Sequence, residues 1–175
     1  MQSSGHINSS YTYNGLGQLI EEETGEYTKA YTYDASDSRT SFKLYKGGQL
    51  LMQQGYTYDN AGRLASVTDG TTTIASYTYD DAGNLVQKVS GGVTSEYTYN
   101  DANLLTSLEN EAAGEVLSAY QYAYYLNGNQ SSKTDSAHGT TSYSYNGFGE
   151  LTQEAGPGGS VTYAYDAGGN RASAT

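Results

Sequence analysis

Apolar side chains in this chain recur with a spacing of two. Tyrosines form eight Tyr-x-Tyr pairs, at Tyr11/Tyr13, Tyr31/Tyr33, Tyr56/Tyr58, Tyr77/Tyr79, Tyr97/Tyr99, Tyr122/Tyr124, Tyr143/Tyr145 and Tyr163/Tyr165. The residue between them is always Thr, Ser or Ala. A period of two is that of a strand: both tyrosines share one face and the small residue points to the other. Asn14, Asp34, Asp59, Asp80, Asn100, Asn146 and Asp166 directly follow seven of the pairs, and Tyr125 is the exception. Gly17, Gly62, Gly83, Gly149 and Gly169 come three residues later, and Leu19, Leu64, Leu85 and Leu151 two after that.

This order of residues predicts a hairpin turn. The Asp or Asn oxygen caps the turn, and glycine takes a left-handed position at no steric cost. A type I turn followed by such a glycine reverses the strand. Leucine then returns on the partner strand, near the tyrosines. A second set of turn signals lies between the motifs: Thr24-Gly25, Gly47-Gly48, Asp69-Gly70, Gly91-Gly92, Asn110 to Gly114, His138-Gly139 and Gly156 to Gly159. With a turn at each edge of every repeat, the pattern predicts an all-β antiparallel meander of about sixteen short strands. No helix is expected; Glu109 to Ser118 has some helical propensity but sits where a hairpin loop belongs.

Successive pairs are 20, 25, 21, 20, 25, 21 and 20 residues apart, so any three consecutive steps sum to 66. The unit of organisation is therefore a block of three hairpins. Asn14 to Leu19 and Asn146 to Leu151, two blocks apart, read Asn-Gly-Leu-Gly-Gln-Leu and Asn-Gly-Phe-Gly-Glu-Leu. Sixteen strands side by side would make a sheet about 75 Å wide. Sheets of that width twist, curl or close. The expected fold is a continuous curled or spiralling strip of tandem hairpins. Its tyrosine and leucine face turns inward, and Thr, Ser, Lys and Gln face outward.

Composition changes the picture in one respect. Leu, Ile, Val and Phe together fall well short of a fifth of the chain, and the net charge is −11, which by itself suggests disorder. The 20 tyrosines reverse that reading, because each buries a large apolar ring while keeping its hydroxyl wet. The eight basic residues form no patch or stripe, which argues against nucleic acid and against anionic membrane surfaces. No apolar run is long enough to span a membrane, so no membrane insertion is expected. The absence of cysteine excludes disulfides and thiolate metal sites. Residues 1–10 are set apart as an N-terminal tail, with Ser3 to Ile7 open to a non-native origin, and the repeat array is placed at 11–175. No signal-peptide core is seen at Met1 to Ser10.

Candidate chemistry is sparse. His6 and His138 are read as solvated, because nothing around His138 completes a Ser-His-Asp arrangement. Asp80-Asp81 lacks the calcium-loop spacing and is read as a turn cap. Glu21 to Glu23 and Glu26 are read as a solvated edge, and the glycine-rich turns follow no phosphate-loop spacing. No catalytic residue, cofactor or metal is expected. The residues singled out are the sixteen repeat tyrosines and the turn residues Asn14, Gly17, Asp59, Gly62, Asp80, Gly83, Asn146, Gly149, Asp166 and Gly169. Aromatic faces beside Asp and Asn also suit sugar stacking, although equivalent placement of all eight pairs favours a structural use.

Tyr56 to Leu64, reading Tyr-Thr-Tyr-Asp-Asn-Ala-Gly-Arg-Leu, and Tyr77 to Leu85 resemble the tyrosine–aspartate (YD) or RHS repeat family. The resemblance extends from residue 11 to about 175. Departures fall at Asp37 and Asn103, which replace the turn glycine, and at Tyr122 to Gln130, where the aspartate is lost. Both substituted turns are expected to survive with local strain. That family includes bacterial polymorphic-toxin shells, insecticidal toxin-complex subunits, wall-associated proteins and teneurins. The resemblance implies a β-strip spiralling into a hollow shell, often around a toxic cargo, in a secreted or cell-surface bacterial protein. No Asp-Pro-containing core motif and no distinct toxin domain after Thr175 are found, so self-cleavage is not carried over. The expected function is structural scaffold rather than enzyme. Its partners are further repeats or copies of itself through open sheet edges, or an enclosed cargo. Two alternatives stand beside it: a self-assembling fibre or tube protomer, and a carbohydrate-binding adhesion module.

Overall fold

In the computed structural model, which describes residues 8–175, every segment of alternating pattern forms a strand and every Asx-x-x-Gly forms a turn. The strands are β1 (Ser9–Tyr13), β2 (Leu19–Thr24), β3 (Tyr27–Tyr33), β4 (Arg39–Lys46), β5 (Gln49–Tyr58), β6 (Leu64–Asp69), β7 (Thr72–Tyr79) and β8 (Leu85–Ser90). They continue as β9 (Val93–Tyr99), β10 (Leu105–Ala112), β11 (Glu115–Tyr124), β12 (Gln130–Asp135), β13 (Gly139–Tyr145), β14 (Leu151–Gly156), β15 (Gly159–Tyr165) and β16 (Arg171–Ala174). No helix occurs among the described residues. His6 and most of the tail at 1–10 lie outside those residues, and β1 begins at Ser9.

The chain divides into two compact units, Met1–Tyr77 and Thr78–Thr175, with the boundary inside β7. In the first, β1 to β7 pair antiparallel in chain order. In the second, β8 to β16 do the same. Register is set by the tyrosines. Within each pair the first stands opposite a return-strand residue such as Glu22, Phe42, Val67, Leu108 or Lys133. The second stands opposite Leu19, Arg39, Leu64, Leu105 or Gln130, with one extra residue bulged between the two contacts. Such a bulge keeps both tyrosines on one face while the turn absorbs an odd residue.

The 66-residue block has a structural cause. The 25-residue steps are the long hairpins β4–β5 and β10–β11, with strands of 8 and 10 residues each. Each long hairpin carries a second bulge near its tip, at Leu51 and Leu117, which are 66 residues apart. Leu51 is 51% and Leu117 60% exposed. The tip of the first is Gly47-Gly48, at φ 55° and 81°; that of the second is Ala113-Gly114, at φ 51° and 83°. An alanine in the left-handed region is strained by about 1–2 kcal/mol. Ala113→Gly relieves it but frees the unfolded chain, so a net gain of up to about 1 kcal/mol is expected, read as a higher urea midpoint.

Two expectations need correction. The tyrosine–leucine face does not close over a core: Ala75, at 8% exposure, is the one buried hydrophobic residue among those described. Among the described residues Tyr11 and Tyr13 are exposed, at 54% and 57%, and the other repeat tyrosines are half-buried on their own sheet's face. Lys and Gln also do not all face away from the tyrosines. Lys29 alternates with Tyr27 and Tyr31, Lys133 stands opposite Tyr122, and Gln54 accepts a hydrogen bond from the Tyr56 hydroxyl at 2.8 Å. Without a covering layer these cations and amides stay hydrated there while their stems cover ring surface.

Candidate functional site

The turn edge repeats one hydrogen-bond scheme. At Asp59 the backbone N–H donates to the Arg63 carbonyl (2.9 Å), and the Gly62 N–H donates to the Asp59 carbonyl (2.9 Å). The Asp59 Oδ1 accepts from the N–H groups of Ala61 and Arg63, both at 2.9 Å. The same two-donor cap occurs at Asn14, Asp34, Asn100, Asn146 and Asp166. Asp80 accepts from the Asn84 N–H at 2.8 Å. Gly17, Gly62, Gly83, Gly149 and Gly169 all have φ between 77° and 93°.

Donors converging on the caps lower the carboxyl pKa of Asp59, chiefly through the Arg63 N–H. Asp80 is lowered chiefly by the Asn84 side chain, and Asp166 by the Asn170 N–H. A folded pKa below the ordinary 3.8 means the contribution is complete above that pH and lost as pH falls through the folded values. Amide exchange should separate the two cap types. On going from neutral pH to about 3, the Ala61 and Gly168 amides should lose protection relative to intrinsic rates. The Ala102 and Phe148 amides, capped by asparagine, should not.

Five of the hairpins are latched to the one before by a tyrosine hydroxyl. Tyr33 donates to the Leu19 carbonyl (2.8 Å), Tyr58 to Arg39 (2.8 Å), Tyr99 to Leu85 (2.9 Å), Tyr124 to Leu105 (2.7 Å) and Tyr165 to Leu151 (2.9 Å). The second tyrosine of each of these pairs thus supplies a fixed, directional contact in addition to ring area. Tyr124→Phe keeps the ring and removes the bond, and should cost about 1 kcal/mol in thermal or urea unfolding.

Side chains at the two turns that lack glycine make a further link, which inspection of single repeats had missed. The Gln18 amide donates to Asp37, and the Asn84 amide donates to Asn103 at 2.9 Å. Donors and acceptors are both 66 residues apart, and Asp37 and Asn103 hold φ of 67° and 59°. The strained position is kept where its side chain reaches the preceding turn. Comparing residues at the 66-residue interval would have exposed the pair.

On the tyrosine face, Arg39 lies over the rings of Tyr56 (4.9 Å) and Tyr31 (5.9 Å), while Tyr31 and Phe42 are paired at 5.7 Å. Arg171 covers Tyr163 and Lys133 covers Tyr120, both at 4.6 Å. Lys29 pairs with Glu22 at 3.0 Å. Burial is the largest cause raising the phenol pKa of Tyr31, Tyr99, Tyr124, Tyr143 and Tyr145. Their hydroxyls therefore stay protonated donors at neutral pH. The opposite face carries cross-strand hydroxyl pairs, among them Thr57–Ser66 (2.7 Å), Thr98–Thr106 (3.0 Å) and Thr134–Thr140 (2.9 Å).

One turn departs from the scheme. Tyr125 stands at the cap position, where its backbone bonds persist (N–H to Asn129, 2.8 Å; carbonyl from Gly128, 2.9 Å) but no cap oxygen exists. Asn127 Oδ1 accepts from the Asn129 N–H at 3.1 Å instead. The Tyr125 hydroxyl donates to the Tyr143 carbonyl (3.0 Å), and its ring meets Tyr145 edge to face at 6.2 Å. A cleft of about 650 Å³ opens there, lined by Tyr125, Leu126, Asn127, Ser144, Tyr145 and Asn146.

His138 is 83% exposed at a hairpin tip, and its Nδ1 lies within hydrogen-bond distance of Asp135 Oδ2, at 3.0 Å. Among the described residues no group of three or more His, Cys, Asp or Glu is placed to hold a metal.

The family model described as Teneurin YD-shell matches residues 48–174. No curated protein sequence matches the chain. Among solved structures, the crystal structure of TcdB2-TccC3-Cdc42 is similar over 97% of this chain and 13% of that one, with 18% identity and a TM-score of 0.61. The Photorhabdus luminescens Tc holotoxin pore is similar over 99% of this chain and 12% of that one, with 18% identity and a TM-score of 0.62. At that identity the likeness is one of fold, and the chain spans only about an eighth of those chains' length.

Proposed function

Because the chain belongs to the Teneurin YD-shell family, we propose that it is a stretch of wall in a secreted or cell-surface bacterial shell that encloses a polypeptide cargo. The role is structural. The observation that carries the reading is the series of hydroxyl latches between successive hairpins on a sheet that lacks a core of its own. Each hairpin is stabilised mainly by its neighbours, the arrangement of a one-dimensional repeat array. Such an array resists local opening along its length, as a wall must. Cryo-electron microscopy of the natural full-length protein tests it. The expected result is this strip as part of a wall around an internal volume, with a cargo segment resistant to added protease. A solid particle, or a cargo cleaved as fast as the free segment, would overturn it.

A second reading, a self-assembling protomer, rests on β1. Tyr13 sits at the latch position on the edge strand of its unit and is 57% exposed. An edge with such a donor suits pairing with another hairpin of the same type. Filaments or rings in negative stain would favour this reading; monodisperse single chains at high concentration would remove it.

A further inference from the structure

Glycine follows asparagine at three places, Asn14-Gly15, Asn127-Gly128 and Asn146-Gly147, each in a hairpin turn and each after a bulky residue. A glycine in that position leaves its own nitrogen unhindered and lets the peptide swing, so the asparagine amide is open to attack by the next backbone nitrogen. The fold treats the three sites unequally. Asn14 and Asn146 are half-buried caps. The Oδ1 of Asn14 accepts from the Leu16 and Gln18 N–H groups, its Nδ2 donates to the Gln18 side chain, and its carbonyl accepts from the Gly17 N–H. Asn146 is held in the same way by Phe148, Glu150 and Gly149, with its Nδ2 donating to Glu150 Oε2 at 2.6 Å. Asn127 is exposed and sits two residues past the cap position, which Tyr125 fills without a cap oxygen. Among the described residues its Oδ1 accepts from the Asn129 N–H alone, at 3.1 Å, and its Nδ2 donates to nothing.

We propose that Asn127 is a site of deamidation, and that the Asx caps shield Asn14 and Asn146 from the same reaction. The Gly128 nitrogen gives its proton to solvent base and attacks the Asn127 Cγ. The Cγ–Nδ2 bond breaks, and the leaving nitrogen takes up a proton and departs as ammonia, which leaves a cyclic imide. Water then opens the imide at either carbonyl, giving aspartate or isoaspartate. Each event consumes one water and releases one ammonia, and no oxidant or cofactor enters. Reaching the imide at Asn127 gives up two hydrogen bonds, from the Asn129 N–H to Oδ1 and from the Gly128 N–H to the Tyr125 carbonyl. At Asn14 and Asn146 the side chain and carbonyl must first leave four. Bonds that must open before reaction lower the reactive population. The isoaspartate product routes the main chain through the side-chain methylene. It therefore lengthens the backbone between Tyr125 and Asn129, whose N–H to carbonyl bond at 2.8 Å holds this turn, and loosens the hairpin of β11 and β12.

The full chain tests this without substitution, incubated folded in mildly alkaline buffer at physiological temperature. Samples taken over time are digested at acid pH, and the peptides that hold Asn14, Asn127 and Asn146 are followed by mass spectrometry for conversion of amide to acid. Electron-transfer fragmentation separates aspartate from isoaspartate. A parallel incubation in concentrated guanidinium chloride supplies the reference, since there no turn bond protects any of the three sites. In the folded chain the Asn127 amide should be lost at least about tenfold faster than that of Asn14 or Asn146, with isoaspartate among the products. In denaturant the three rates should converge. Equal rates at the three sites of the folded chain, or faster loss at Asn14 or Asn146, would overturn the proposal. So would an Asn127 amide that stays intact in the folded chain after the denatured chain has lost it. The same ranking with and without denaturant would place the cause in the sequence and overturn the role of the caps.

Discussion

Gly83→Val should lower the stability of the second unit by about 2 kcal/mol, the largest effect expected of any turn substitution. Gly83 holds φ 93°, and its N–H closes the turn by donating to the Asp80 carbonyl at 3.1 Å. At the equivalent Gly17 and Gly62 a Cβ would meet nothing within 4 Å, and at Gly149 and Gly169 only the ends of the Asn129 and Glu150 side chains, at 3.7 and 3.2 Å. The cost comes from the backbone, because a β-branched residue clashes with its own peptide oxygens in the left-handed region. Gly83→Asn should cost less than half as much, as asparagine already occupies this position at Asn103 with φ 59°. Urea unfolding followed by circular dichroism reads both. Equal losses in the two variants would mean that contacts rather than φ set the requirement.

The same contrast shows what the sequence revealed and what it hid. Strand alternation, the turn positions and the 66-residue block were legible because each is written in local residue types: Tyr-x-Tyr for a face, Asx-x-x-Gly for a turn. The consequence of Asp37 and Asn103 was not, because their partners Gln18 and Asn84 lie 19 residues away and meet them only once hairpins are paired. The hydroxyl latches were hidden for a like reason. Their acceptors are backbone carbonyls, which every residue carries and no pattern marks. Burial was misjudged because tyrosine content indicates available apolar area but not whether a second layer exists to cover it. The departure at Tyr125 was visible, but only the geometry shows that Tyr145 is diverted with it.

Phe42→Ala should cost about 2 kcal/mol, less than the roughly 3–5 of a phenylalanine removed from a closed core. Phe42 stands opposite Tyr31 on β3 and pairs with its ring at 5.7 Å, on a face where no packed layer lies above. Its removal strips one side of Tyr31 and loosens the seat of Arg39, whose guanidinium spans Tyr31 and Tyr56. Those cation–ring contacts are worth about 1 kcal/mol at a partly exposed site. Arg39→Ala alone should therefore cost about half as much as Phe42→Ala, and the double variant should fall short of the sum because the two residues share the Tyr31 ring. The place where protection is lost matters as much as the total. In a sheet stabilised by lateral neighbours, exchange should rise first in β3, β4 and β5 and persist longer in β1 and β2. A uniform loss across all five strands would show that the unit unfolds as one cooperative body, and would locate its stability in the backbone ladder rather than in the aromatic contacts on its face.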